Sequence, residues 1–248
     1  MEIKNVILHF PWGAGGNLIR NCLILDNRFE FDENTADTER YQYLCNYYQT
    51  PVTSKTWLDR EWQFRGILYG KYYEDPGVIT YWNPNKSLVY LSHDAQLEIN
   101  SIMSGEFLKT NKFNNSFQKI SHWTLLDCEH IFLIPTDWKR ISEVYISKYK
   151  KDSEFTDTIE ERINTCYLDN KFIIETQIEI SNRLSNLHKS VSIYDPSQLF
   201  MPNGFEMIMT IIDQLKLSVS KNQVKTLHQT WLQQTKQIYF EFYGKSWE

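Results

Sequence analysis

The stretch "HFPWGAGGNLIRNCLILD", His9–Asp26, decides the fold of this chain. An apolar run, "VILHF", leads into it, and an apolar segment with helical spacing leads out. Three of the chain's nine glycines, Gly13, Gly15 and Gly16, fall within four positions at that strand-to-helix turn. Two physical readings compete. Backbone N–H groups at a helix N-terminus approach an anion closely when no Cβ intervenes. Alternatively, glycine serves a tight turn in a packed α/β unit.

Three further runs share the apolar character of the first (Asn5–Phe10): "SLVYLSHD" (Ser87–Asp94), "HIFLIPTD" (His130–Asp137) and "SVSIYDPS" (Ser190–Ser197). Their centres are continuous rather than alternating, the pattern of strands buried on both faces of a parallel sheet. Each ends in polar or turn residues, and ligands of open α/β sheets bind outside the carboxyl ends of the strands. Helical spacing runs from Gly16 to Leu25, from Asp137 to Lys150 and from Thr156 to Leu187. Asn203 is a candidate N-cap for a helix through Leu215, and a last helix carries Val224, Leu227, Trp231 and Ile238. The fold class predicted is α/β: a central, mostly parallel sheet with flanking helices and a P-loop-like strand, glycine loop and helix at the N-terminus. The 248 residues read as a single domain, with an irregular aromatic-rich insertion at about 31–85.

Composition narrows the function classes. A net charge of −5 carries no polyanion-binding signature, so nucleic acid is disfavoured as the main partner. The aromatic fraction of 15% suits a Tyr- and Trp-heavy core before it suits stacking on sugars or bases. Cys22, Cys45, Cys128 and Cys166 show no CxxC spacing and read as free thiols of a reducing compartment. No run approaches the ~18 apolar residues of a membrane span, and the chain opens on a strand; a cytoplasmic location without membrane partners is expected.

The loop lacks the GxxxxGK[ST] of nucleotide triphosphatases and the spacing of the dinucleotide fingerprint. It resembles the 5′-phosphosulfate loop of sulfotransferases, where a strand runs through proline into a short glycine-containing loop and a helix. "HIFLIPTDWKRISEVYISKYKK" resembles that family's 3′-phosphate segment. "SVSIYDPSQLF" with "GFEMIMTIIDQLKLSVSKNQV" resembles its late strand, Asp-containing loop and following helices. The likeness touches about half of the chain. It implies that Gly13, Ala14, Gly15, Gly16, Asn17 and Leu18 hold the 5′ end of 3′-phosphoadenosine 5′-phosphosulfate, and that Arg140 and Ser142 hold its 3′-phosphate. A helix N-terminus flanked by Lys139 and Arg140 is suited to an anion. No metal is expected.

Two departures stand out. Pro135 or Thr136 occupies the place of the family's Arg after the 3′-phosphate strand. Trp12 and Ala14 stand where many members hold a cation near the bridging oxygen, leaving His9, Arg20 or a distant lysine to compensate. His93 and Asp94, at a strand end, are the candidate general bases, expected within about 10 Å of the glycine loop. His9 itself reads as a core histidine. Arg60, Glu61 and Arg65, among Trp57, Trp62 and Phe64, form either a lid or a solvated helix face. The function expected is sulfuryl transfer to a hydroxyl or amine of a small-molecule or carbohydrate acceptor. The alternatives are a non-enzymatic protein that retains the fold, with protein assembly partners, and a kinase with a degenerate loop.

Overall fold

The computed structural model describes residues 4, 6–29, 87, 89–92, 129–149, 158–187 and 190–246. Within them, β1 (Val6–His9), β2 (Val89–Ser92), β3 (Glu129–Leu133) and β4 (Val191–Tyr194) form a sheet in the order β2-β1-β3-β4. Every pairing is parallel: Val6 lies opposite Val89 on one side and Glu129 on the other, and His130 lies opposite Val191. The helices are α1 (Gly16–Leu23), α2 (Trp138–Tyr149), α3 (Ile159–Leu187), α4 (Phe205–Gln214) and α5 (Lys221–Tyr243), with a 3-10 helix at Pro196–Phe200. The chain is therefore an α/β protein with a parallel sheet and flanking helices. The aromatic-rich stretch at 31–85 lies outside the described residues.

Strand alternation divides the core. Val6, Leu8, Ile131 and Leu133 point to one face, where Leu18, Ile19, Cys22 and Leu23 of α1, Ile208, Ile211 and Ile212 of α4, and Val224, Leu227 and Trp231 of α5 join them in one buried cluster. Phe132 points to the opposite face and packs on Ile180 of α3. Each such fully buried side chain contributes about 1.5–3 kcal/mol of transfer free energy. All of β1 is buried and β3 is buried beyond Glu129. β4 departs from the expectation of a strand buried on both faces: Ile193 is 52% exposed. Among the described residues β4 pairs only with β3 and so stands at the edge of the sheet.

Two details correct or extend the sequence reading. Asn203 does not cap α4 with its side chain; the cap residue is Gly204, where a Cβ would meet the Gln198 carbonyl oxygen at 2.4 Å. Buried Asp26, just past α1, accepts bonds from Arg28 N, Nε and Nη2 and from Ser218 N. Arg28 Nη2 also donates to the carbonyl of Lys216, whose φ of +54° is in the left-handed region. The end of α1 is thereby tied to the connection between α4 and α5.

The topology marks where a ligand belongs. From β1 the chain passes through α1 to β2 on one side; from β3 it passes through α2 and α3 to β4 on the other. The crevice of such a sheet opens at the carboxyl ends of the two strands where the direction switches, here β1 and β3.

Candidate functional site

The glycine loop leaves the carboxyl end of β1. Phe10 and Pro11 are buried, and a turn closes with Ala14 N donating to Pro11 O at 3.2 Å. Gly13 (φ +89°) and Gly15 (φ +77°) hold left-handed conformations, and Gly15 is the N-cap of α1. The loop thus enters a helix at Gly16, as the sequence predicts. No acidic side chain lies in the first turn of α1 and no side chain caps it. Among the described residues, no carbonyl accepts from the N–H of Gly13, Gly15, Gly16 or Asn17. Four donors within five residues and the positive end of a helix dipole are thus concentrated at the switch point. Gly13, Gly15 and Asn17 are partly exposed there, whereas Ala14 and Leu18 are fully buried and anchor the turn.

The glycines also answer to the protein's own packing. A Cβ on Gly13 would lie 2.4 Å from the Ile141 carbonyl oxygen of α2; on Gly15, 2.8 Å from Leu199 Cδ1; on Gly16, 2.5 Å from the Phe10 ring. The space beside Gly13 is therefore taken by backbone whether or not an anion binds, and its φ disfavours any L side chain.

A side-chain network holds the loop from α2 and α3. Trp12 N donates to Asn170 Oδ1 at 3.0 Å, and Asn170 Nδ2 donates to Trp12 O at 3.1 Å. Asn170 Nδ2 also donates to Ser142 Oγ at 3.0 Å, and Ser142 Oγ donates to Trp138 O at 3.0 Å. The Trp12 ring stacks on Tyr145, with centroids 5.4 Å apart. Cys166 is buried beside this network, and burial, with a smaller effect of Asp169, pushes its thiol up to about 11 against the Ser142 bond, leaving it a thiol at neutral pH.

The segment after β3 is differently occupied. Asp137 Oδ1 accepts from Arg140 N at 3.0 Å and so caps α2 with its own carboxylate. Asp195 accepts from Thr136 N, Thr136 Oγ1 and Ser197 N. Burial alone raises the Asp195 pKa, but these bonds outweigh it and keep the carboxyl below its ordinary value. Both carboxylates oppose a phosphate at this helix end. Arg140 and Ser142 have different surroundings: Ser142 is fully buried against α3, while the Arg140 charge acts on Tyr239 of α5. Tyr239 donates to Glu143 Oε2 at 2.8 Å, and burial first, then that carboxylate, pushes its pKa up to about 12.

His9, a strand residue that precedes the loop, is a core histidine. Its Nε2 lies 3.1 Å from His130 Nδ1, and its ring stacks on Phe132 at 4.2 Å. Burial, and after it the charge of His130, hold its pKa well below the ordinary value, so it supplies no cation to the loop. Arg20 is only 1% exposed on the buried side of α1. His93 and Asp94 lie outside the described residues, as do Arg60, Glu61 and Arg65. β2 itself is parallel to β1, with Ser92 level with His9. Among the described residues, no group of three or more His, Cys, Asp or Glu side chains is placed to hold a metal, and no helix is long and apolar enough to cross a membrane.

Asn170 is the residue of the candidate site that the sequence did not point to. Its signal was a polar residue inside the buried stripe Cys166, Asn170, Ile174, Gln177 of α3. No family model, curated protein or solved structure matches this chain.

Proposed function

We propose that the chain is a sulfotransferase-like enzyme that binds 3′-phosphoadenosine 5′-phosphosulfate at the P-loop-like turn of residues 13–18. The N–H groups at the N-terminus of α1 that have no carbonyl partner among the described residues, at the sheet's switch point, carry this reading. Backbone donors of this kind hold a terminal phosphate through charge-assisted bonds of roughly 1.5–3 kcal/mol each. In the reaction, an acceptor hydroxyl or amine attacks sulfur in line. The bond from sulfur to the bridging oxygen breaks, and adenosine 3′,5′-bisphosphate leaves with the electron pair. His93 or Asp94, following β2, takes the acceptor proton in this proposal. Ser142 serves as support for the loop through Asn170 rather than as a phosphate ligand. The 3′-phosphate is then left to Arg140, in the first turn of α2.

A second reading has an observation of its own. Each loop glycine is accounted for by a neighbouring protein atom, which favours a non-enzymatic protein that retains the fold. Thermal denaturation separates the two. Adenosine 3′,5′-bisphosphate at ~100 times its dissociation constant contributes about 2.7 kcal/mol. At roughly 2–4 °C per kcal/mol, the melting temperature then rises by about 5–10 °C. AMP and ATP are expected to give much smaller shifts. Equal shifts with ATP favour a kinase, and no shift with any nucleotide at millimolar concentration favours the non-enzymatic protein.

A further inference from the structure

The Asn170 side chain pairs with the backbone of Trp12 as a neighbouring strand would, across 158 residues of chain. Its Oδ1 accepts the Trp12 N–H and its Nδ2 donates to the Trp12 carbonyl. The orientation of the amide follows from chemistry, since a backbone N–H requires the oxygen and a backbone carbonyl requires the nitrogen. Asn170 is fully buried, and its second Nδ2 proton goes to Ser142 Oγ, so its main hydrogen-bonding capacity is used. From Pro11 to Ala14 the loop makes one backbone hydrogen bond of its own among the described residues, Ala14 N to Pro11 O. The conformation of this turn therefore depends on a helix far away in sequence.

We propose that Asn170 is the positioning residue of the glycine loop: by clamping the backbone N–H and C=O of Trp12, and so the peptide groups on both sides of it, it presets the following N–H groups for a phosphate-bearing ligand. The ligand half of this proposal rests on the nucleotide reading above. An unclamped loop would lose its backbone freedom on binding, and that loss weakens affinity without removing any ligand contact. Asn170 itself touches no ligand in this arrangement; it acts through Trp12.

Hydrogen exchange and nucleotide binding test the two halves separately. Full-length wild type, Asn170→Ala, Asn170→Asp and Ser142→Ala are compared. In Asn170→Ala the amides of Trp12 and Ala14, which are hydrogen-bonded in the wild-type loop, are expected to exchange at least about tenfold faster, while peptides of α4 and α5 keep their wild-type rates. Asn170→Asp retains the acceptor for Trp12 N–H and loses the donor, so its acceleration is smaller; it also serves if the alanine variant does not fold. Ser142→Ala keeps both clamp bonds and changes loop exchange least. Affinity for adenosine 3′,5′-bisphosphate, by calorimetry, is expected to fall about tenfold in Asn170→Ala. Unchanged loop exchange in both Asn170 variants, or equal acceleration over the whole chain, overturns the clamp. Faster loop exchange with undiminished affinity overturns its role in positioning. Faster loop exchange with no nucleotide binding even in wild type leaves the clamp standing and refutes the nucleotide reading, together with the ligand half of this proposal.

Discussion

Asn17→Asp sets the two uses of the α1 N-terminus against each other. Asn17 is the second residue of α1, half-buried, in a first turn that carries no acidic side chain. A carboxylate there interacts favourably with the helix dipole, by about 0.3–1 kcal/mol. At roughly 2–4 °C per kcal/mol, the ligand-free protein should melt about 1–4 °C higher. The same carboxylate would lie close to a phosphate held by the neighbouring N–H groups. Two unit charges about 4 Å apart repel by about 4 kcal/mol at an effective dielectric constant of about 20. Partial exposure reduces this to about 2–3 kcal/mol, equivalent to a roughly 30- to 150-fold loss of affinity for adenosine 3′,5′-bisphosphate. Thermal denaturation without ligand and calorimetry with it read the two effects independently. A variant that melts higher yet binds within about threefold of wild type refutes the placement of an anion at this helix end. A variant that melts lower shows instead that the N-terminus of α1 is not free.

Gly13→Ala should lower stability by about 2 kcal/mol or more, whatever its effect on ligands, because φ is +89° and the new Cβ meets the Ile141 carbonyl; urea unfolding at wild-type midpoint would contradict the packing account. Burial holds His9 and His228 below their ordinary pKa, assisted at His9 by the His130 charge and opposed at His228 by its bond to Leu199 O. The unfolded chain takes up these protons near pH 6.5 and the folded chain only lower, so stability is full above about pH 7 and falls below about pH 6.5, by about 1.4 kcal/mol per pH unit for each histidine. Urea titrations at several pH values check the slope, which His228→Gln should reduce. Burial raises the Asp26 pKa, but the bonds from Arg28 and Ser218 outweigh it and the result is lowered. Asp26→Asn should therefore cost about 2 kcal/mol at neutral pH and progressively less as acid protonates the wild-type carboxyl below about pH 4, a convergence that unfolding curves of the two proteins would reveal.

The order of strands and helices was legible because it depends on local signals. Continuous apolar runs such as "VILHF" and "HIFLIP" have one economical use, a strand covered on both sides, and helical spacing after Gly16 or through α5 names its own buried stripe. The entry into α1 was equally legible, since Gly15 and Gly16 are the residues that tolerate a left-handed cap and a close aromatic ring. Exposure of β4 was not legible, because Ile193 is apolar in either setting and only the elements packed around that edge of the sheet decide its cover. The candidate site divides in the same way. That polar groups gather at the carboxyl ends of β1 and β3 follows from the sheet. What each group does there depends on partners far away in sequence: Asn170 on Trp12, Asp195 on Thr136, Ile141 on Gly13. A glycine, a serine and an asparagine carry no mark in sequence that separates facing a ligand from facing one's own backbone. Only the tertiary structure brings the atoms within hydrogen-bonding or van der Waals distance, and so decides which of the two it is.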